Sequence, residues 1–586
     1  MARVVPLFPG NRPATPTVVE VFMRYLKAEG VRVVFGIPGG LLYPFFLAVE
    51  EDPELTLVVS KHEEGAAFMA DGYARISRGL AVCAGTSGPG ATNLMTGVSC
   101  AFADGVPMLV ITGQAASHAL GKGASQETSR EDIDIVAMFA PVTKYSAMVP
   151  SPGQASMHLR RALRLALTGR PGPVHLNVPV DFWGKPLSED WFDPATYRPT
   201  TGAFDRAAVQ QTVDILHAAR HPVLLVGSGV AVANAEQHVL ALAEALPARV
   251  ATTPRAKGVF PENHELSLGV FGFAGHEAAR STLLGSDVDV LFTVGSSLNE
   301  AATLNWHPDL ARARRLIQLD IDVDRIGRNY PVDLALVGDA QTILVELVYH
   351  LHRKMRDGRL PQSRWGKADP LDRGHTRYAT PDLRVSDAVP LTPPRWRFDL
   401  ERVLPEDAIV FSDIGGHMLS NIHHLRIGSR QRFIINLGFG SMGHGTVAPI
   451  GAALAEPKRP VIAIIGDACF MMNGMDLITA VEYDLPIVWI VENNNMHGIT
   501  YHASKHLSPI GKPLKSAQYR RRPEIAAMAR AMGLHTEIVE RPGEIQGALR
   551  EALIARRPAL IEVRVDPMIP PPVGDRTRAL SGFIER

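Results

Sequence analysis

Two separated stretches of this sequence run from apolar residues into oxygen-bearing side chains, and together they suggest a site for a hard metal ion. Ile464-Ile465-Gly466-Asp467-Ala468-Cys469 ends an apolar run in a carboxylate. Ile487–Val491 leads into Glu492-Asn493-Asn494-Asn495-Met496. If both runs are strands of a parallel sheet, both ends fall on its carboxyl edge, where ligands bind. A carboxylate and an amide oxygen gathered there suit magnesium or calcium, which take oxygen ligands. The small Ala468 and Cys469 would let backbone N–H groups approach a phosphate at a helix start. Taken singly, Asp467 also reads as a helix cap and Asn493-Asn494 as a turn. Their separation by one strand-to-strand unit is what favours the metal.

A second carboxylate, Glu63, stands where a strand gives way to a helix. Val59-Ser60-Lys61-His62-Glu63-Glu64-Gly65 leaves a strand and opens a helix, with Ala66, Ala67 and Ala70 allowing close packing behind Glu63. On periodicity alone, a Glu that complements the helix dipole is the better reading. Three Gly-rich stretches also follow strands: Thr86–Asn93, Asp413-Ile414-Gly415-Gly416-His417 and Asn436–Gly443. Each is weak evidence by itself, and Met442 alone reads as core filler.

The elements that position these groups fall into three α/β blocks. The first has strands expected at Val31–Phe35, Thr56–Val59, Leu80–Ala84, Met108–Ile111 and Val174–Val178, with helices at Glu63–Arg75 and Gly153–Thr168. The second has strands at Pro222–Val226, Val288–Val294 and Arg315–Asp320, with helices at Ala207–Ala219 and Ala233–Ala245. The third has strands at Ile409–Ser412, Phe433–Asn436, Val461–Ile465, Ile487–Val491 and Ala559–Val565, with a helix from about Asn473 to Tyr483. Short apolar runs alternating with helices predict parallel sheets covered on both faces. The expected domains are 17–185, 200–352 and 396–570. Residues 353–395 read as a linker, or else as an ordered strap.

The 586 residues carry 60 Lys plus Arg against 60 Asp plus Glu, so nothing in the balance calls for nucleic acid or an anionic membrane. No apolar run reaches the roughly 18 residues of a membrane span. Met1–Thr17 is Pro-rich and lacks the apolar core of a secretory signal. Cys83, Cys100 and Cys469 have no C-x-x-C spacing, which excludes a disulfide framework and a cysteine zinc site. A cytoplasmic location is expected.

Taken together, the motifs resemble those of thiamine-diphosphate-dependent enzymes of the acetolactate-synthase type, over residues 17–566. The 466–495 segment is similar to the family motif that begins Gly-Asp-Gly and ends Asn-Asn, with Ala468 as a small-for-small change. The resemblance implies magnesium held by Asp467, Asn494 and the Met496 carbonyl, with Gly466, Ala468, Cys469 and Gly498 lining the diphosphate. It implies that Glu63 bonds a ring nitrogen of the aminopyrimidine, and that Pro89 and Asn93 lie near that ring. Gly415, Gly416 and His417 match the loop that holds the diphosphate. Met442 matches the wedge between the cofactor rings, and the Gly440 carbonyl would bond the amino group.

The implied fold is three doubly wound α/β domains: pyrimidine-binding, central and diphosphate-binding. The active site would lie between subunits of a homodimer or homotetramer. The implied reaction is decarboxylation of a 2-oxo acid, pyruvate by preference, and carboligation to an acceptor, with Gln126 orienting the oxo acid. The alternatives are a decarboxylase that releases an aldehyde and a catalytically silent regulatory relative. Ser125 and Ala503 stand where the family has aromatic walls, which points to an acceptor other than 2-oxobutyrate. Gly295-Ser296-Ser297-Leu298-Asn299 replaces the segment that contacts flavin in flavin-bearing relatives, so FAD is not expected.

Overall fold

The computed structural model describes residues 15–572 and 574, except 189–190, 199–201, 313, 359, 366–377 and 509. Residues 1–14 of the Pro-rich start, and the middle of the expected linker, lie outside the described residues. Three six-stranded sheets, all parallel, carry the fold. The first contains β1 (Val33–Ile37), β2 (Thr56–Val59), β3 (Ala81–Gly85), β4 (Met108–Gln114), β5 (Ser146–Met148) and β6 (Pro173–Pro179). They pair in the order β2-β1-β3-β4-β6-β5. The central strands β3, β4 and β6 are buried at every residue, as expected for a parallel sheet covered on both faces.

The second sheet contains β7 (Pro222–Val226), β8 (Arg249–Thr252), β9 (Ser267–Val270), β10 (Val290–Val294), β11 (Arg315–Asp320) and β12 (Leu334–Val337), ordered β12-β11-β10-β7-β8-β9. The third contains β13 (Ile409–Ser412), β14 (Arg432–Ile435), β15 (Val461–Gly466), β16 (Ile487–Asn493), β17 (His535–Val539) and β18 (Ala559–Arg564), ordered β14-β13-β15-β16-β18-β17. Sheets one and three therefore share one winding. The chain turns back on itself between β1 and β3 in the first, and between β13 and β15 in the third. At such a switch point two loops diverge at the carboxyl edge and leave a crevice.

The chain divides into two compact units. One comprises the described part of Met1–Thr200 with Asn436–Lys458 and Asn473–Ile487; the other comprises the described part of Thr201–Ile435 with Arg459–Met472 and Val488–Arg586. The first unit's core packs Phe22 edge-on to Trp183 at 5.0 Å between ring centroids. In that unit helix His444–Ala455 lies directly on helix Glu63–Ser77. A Cβ on Gly72 would sit 2.0 Å from the Ala448 carbonyl oxygen, and one on Gly451 would sit 1.8 Å from that of Met69. Both glycines are needed for the approach.

Several expected boundaries shift. The first strand is Val33–Ile37 rather than Val31–Phe35. The helix placed at Asn473–Tyr483 instead starts at Asp467, runs to Asn473, passes through a 3-10 turn at Gly474–Asp476 and resumes at Leu477–Glu482. Gly474, a poor helix former, stands at the break. β5, β8, β9, β12 and β17 were not anticipated. They are short, and β5, β12 and β17 lie at sheet edges with mostly half-buried or exposed residues, where burial writes little pattern into the sequence; β9 is also an edge strand but is buried throughout, and Ser267-Leu268-Gly269-Val270 makes little apolar run. Inside the expected linker, Gln362 N donates to the His217 carbonyl, Arg364 N to the Arg220 carbonyl, and the Trp365 indole to the Pro222 carbonyl at 2.8 Å. No helix of the described residues is long and apolar enough to cross a membrane.

Candidate active site

The switch point of the third sheet carries the metal and diphosphate candidates. Asp413–His417 leaves β13, and Gly466–Cys469 leaves β15. The His417 ring sits between the two loops: a Cβ on Gly466 would lie 2.8 Å from its Nδ1, and one on Gly415 would lie 2.8 Å from its Cε1. His417 is buried, and burial holds its imidazole below the ordinary value, so it is neutral at pH 7. Its Nε2 has no hydrogen-bond partner among the described residues. The Cys469 thiol donates to the Ile414 carbonyl at 3.2 Å.

Asp467 and the β16 loop come together as the sequence suggested. Asp467 Oδ1 accepts from Ala468 N at 2.7 Å, and Oδ2 accepts from Asn495 N at 2.8 Å. Asn494 Oδ1 accepts from Met496 N at 3.1 Å. A Cβ on Gly498 would lie 2.6 Å from Asn494 Nδ2, so only a glycine leaves this amide its place. Asp467 is 2% exposed, and burial pushes its carboxyl up to about 7 against the pull of the Ala468, Asn495 and Met496 N–H groups. A buried carboxylate in that condition is one that a divalent cation would hold ionised. Asn495 Oδ1 is also buried without a partner among the described residues. No group of three or more His, Cys, Asp or Glu side chains gathers as a metal site among the described residues. The Asp467 carboxylate and the Asn494 amide oxygen are hard oxygen donors, a chemistry that would suit magnesium rather than zinc.

Behind these loops lies a pair that sequence reasoning missed. Arg397 is fully buried and donates to Glu492 Oε2 at 2.7 Å, Asn421 Oδ1 at 2.7 Å and the His417 carbonyl at 3.1 Å. The Trp396 indole donates to the same Glu492 oxygen at 3.0 Å. One guanidinium thus joins the end of β16 to the start of helix Gly416–His424. Five fixed donors suit such a junction. A charged Glu at the end of an apolar strand, with an Arg among the apolar residues of a helix, was the available signal.

In the first unit the switch-point loops are Pro38-Gly39-Gly40 after β1 and Thr86–Asn93 after β3. A Cβ on Gly39 would lie 2.5 Å from that of Thr86. Thr86 Oγ1 is buried without a partner among the described residues. Glu63 opens the helix that follows β2 and is half-buried. Its Oε2 accepts from Asn93 Nδ2 at 3.0 Å, and Gly90 lies close to its Oε1. Pro89 is exposed at the first turn of a short helix. Gly440 has φ +80 with nothing within 4 Å of its Cβ position, and Met442 is half-buried. Their loop is anchored within this unit. Gly438 abuts Asp104, Gly443 abuts Asn473, and Asn473 Nδ2 donates to Glu64 Oε2 at 3.1 Å. His444 shares a 2.6 Å hydrogen bond with Asp71. Burial would raise the Asp71 carboxyl, but Arg75 and His444 outweigh it and hold it well below the usual carboxylate range.

Gln126 is exposed and takes a left-handed φ of +58, uncommon for a side chain of its kind. A buried polar chain fixes it. Ser146 Oγ and Thr112 Oγ1 hold the two ring nitrogens of His175 at 2.9 and 2.8 Å. Asn177 Nδ2 donates to Thr112 Oγ1, and Gln114 Nε2 donates to Asn177 Oδ1. Thr128 N donates to Gln114 Oε1 at 3.0 Å. Ser87 Oγ meets Thr128 Oγ1 at 2.9 Å and donates to the Gln126 carbonyl at 2.6 Å. Burial pushes His175 down to about 3, so the chain is neutral throughout. Polar residues at alternate positions of β4 and β6, in otherwise apolar runs, were its sequence signal.

Comparison with known proteins agrees with this reading. Residues 16–138 match the model of the thiamine pyrophosphate enzyme N-terminal TPP binding domain, 209–347 its central domain, and 413–563 its C-terminal TPP binding domain. The chain belongs to the thiamine pyrophosphate enzyme family. It is 33% identical to the "Probable acetolactate synthase large subunit" of Methanocaldococcus jannaschii, over 94% of this chain and 93% of that one. It is 30% identical to the acetolactate synthase isozyme 1 large subunit of Escherichia coli, over 95% and 96%. A Mycobacterium smegmatis structure ascribed to a thiamin diphosphate-dependent enzyme superposes with a TM-score of 0.79 at 25% identity, covering 94% of this chain and all of the other. The chain is thus a thiamine-diphosphate-dependent enzyme, similar along its length to acetolactate synthases.

Proposed function

We propose that the enzyme decarboxylates a 2-oxo acid, pyruvate by preference, and joins the remaining fragment to a carbonyl acceptor. The observation that carries this is the meeting of the β15 and β16 loops at the Asn495 N to Asp467 contact of 2.8 Å, in a chain whose residues 16–138, 209–347 and 413–563 match the three domain models of the family. Asp467, Asn494 and the Met496 carbonyl would hold magnesium. Gly415, Gly416, His417, Gly466, Ala468, Cys469 and Gly498 would hold the diphosphate. Glu63 would hold a proton at the aminopyrimidine, with Asn93 fixing its carboxylate and Pro89, Gly440 and Met442 shaping the ring site.

Bound there, the cofactor supplies an electron sink for loss of CO2. Overall, one C–C bond to the carboxyl carbon breaks, one C–C bond to the acceptor's carbonyl carbon forms, and a proton ends on its oxygen. Gln126 orients the oxo acid. Ser125 and Ala503 leave the acceptor side without aromatic walls. The domains would be pyrimidine-binding (17–185), central (200–352), a connecting segment (353–395) and diphosphate-binding (396–570). The working enzyme would be a cytoplasmic homodimer or homotetramer with its active site between subunits. Flavin stands outside the proposed cofactor set: Gly295 packs on Gly227 and Gly229 at the switch point of the second sheet, Gly229 N donating to its carbonyl at 3.0 Å.

Mass-spectrometric analysis of products from purified enzyme given pyruvate and an acceptor panel tests the reaction. A ligated product is expected, with 2-oxobutyrate not preferred. Free acetaldehyde as the dominant product throughout would contradict carboligation.

A further inference from the structure

Glu127 is 3% exposed, although none of residues 117–126 before it is buried. Its carboxylate faces back into that loop. Oε1 accepts from Gly121 N at 2.6 Å and from the Ser129 hydroxyl, and Oε2 accepts from Ala124 N at 3.2 Å. These donors, led by Gly121 N, hold the carboxyl below its ordinary value, so it is ionised at neutral pH. Gly121 and Gly123 take left-handed φ of +74 and +72, with nothing within 4 Å of either Cβ position. The loop's turn is thus tied to the carboxylate rather than to packing around these glycines. Backbone N–H groups turned inward by such residues make a concave anion site, and here the chain's own carboxylate fills it.

The loop ends beside the first switch point. Gln126 has φ +58, and a residue with a side chain stays there only where its surroundings hold it. Ser87 Oγ donates to its carbonyl at 2.6 Å, and Glu127 N donates to the Ala124 carbonyl at 3.0 Å. A Cβ on Gly88 would lie 3.4 Å from Gln126 Cβ and 3.5 Å from its Cγ. The Gln126 side chain therefore lies along the Thr86–Asn93 loop, whose Asn93 bonds Glu63.

The two neighbours divide the work: Gln126 is exposed at the switch point, and Glu127 is turned inward to knot the loop behind it. We propose that Glu127 is a positioning residue for the donor, setting the path of residues 121–126 and so the place where Gln126 meets the oxo acid. This rests on the assignment of Gln126 to the oxo acid. Glutamate suits the role because two carboxylate oxygens accept every donor, whereas an amide offers one oxygen and an NH2 that cannot accept.

The test measures CO2 release from pyruvate by wild-type holoenzyme, Glu127→Gln, Gln126→Ala and the double variant. Glu127→Gln should lower kcat/KM for pyruvate by about 10-fold to 100-fold, mainly through KM. Thiamine diphosphate affinity and proton–deuterium exchange at the reactive carbon should stay at wild-type levels. In the Gln126→Ala background the same substitution should cost less than about twofold, because the side chain it acts through is gone. Gly121→Pro deletes one donor at an exposed position without touching the buried carboxylate, and should reproduce the rise in KM even where Glu127→Gln folds poorly. An unchanged KM in either folded variant overturns the proposal. So does a full-size effect in the Gln126→Ala background, or lost activity that a fall in cofactor affinity or exchange accounts for. If Gln126→Ala itself leaves KM unchanged, the assignment of Gln126 fails and the proposal falls with it. Absence of CO2 release by wild type overturns the donor reading, and again the proposal with it.

Discussion

Sheets one and three wind identically and present their loops at equivalent switch points, yet the two loop sets are held in different ways. Around Asp467 both carboxylate oxygens accept backbone N–H groups, and the buried Arg397–Glu492 pair ties β16 to the helix after β13, while His417 Nε2 and Asn495 Oδ1 have no partner among the described residues. Around Glu63 the carboxylate is half-buried and bonded by Asn93, while Thr86 Oγ1 nearby has no partner among the described residues. The first arrangement suits a part that must bind charge without moving. The second suits a part that must exchange a proton, where a fully satisfied carboxylate would be too strongly committed to one protonation state.

The contrast can be broken at its rigid end first. Arg397→Met leaves Glu492 buried without its cation and should cost about 3–5 kcal/mol of stability. Chemical denaturation of the apoenzyme measures this, and a loss below about 1 kcal/mol would mean the pair does not lock the loops. Asp467→Ala should weaken thiamine diphosphate binding in magnesium by at least about 100-fold. Titration calorimetry with and without magnesium reads it, and unchanged affinity would remove Asp467 from the metal.

The softer region predicts smaller effects. Thr128→Val breaks the polar chain beside Ser87 and should cost about 1–3 kcal/mol, with a raised KM for the donor and unchanged cofactor affinity. An unchanged KM would reduce the chain to core filling. Asp476 lies against the start of the Glu63 helix, accepting from Lys61 N at 2.6 Å, and burial pushes its carboxyl up to about 6. The folded state then binds more protons than the unfolded one between about pH 4 and 6. Its stability contribution is present below that window and declines as pH rises through it. Asp476→Asn should abolish that decline, a difference on the order of 1–2 kcal/mol in denaturation curves at pH 4.5 and 7.

The loops that carry Asp467, Asn494 and Glu63 were legible because each follows an apolar run closed by Gly or a charged residue. The β2, β7, β11 and β13 runs were legible for the same reason and match residue for residue. What holds the loops was not legible. Arg397 and Glu492 are 95 residues apart, and Gln114 and Asn177 are 63 apart. No local pattern pairs such residues; only the strand order brings them together. Edge strands such as β17, half-buried over most of its length, carried too little apolar signal.

The central claim is that Glu63 serves proton movement while the Asp467 loops serve binding. Proton–deuterium exchange at the cofactor's reactive carbon, followed by NMR on wild type and Glu63→Gln at saturating thiamine diphosphate and magnesium, tests it most directly. Glutamine keeps the shape and the Asn93 contact but cannot share a proton. Exchange should slow by about 100-fold to 10,000-fold while cofactor affinity stays within a few-fold of wild type. An unchanged exchange rate at full occupancy would contradict the account.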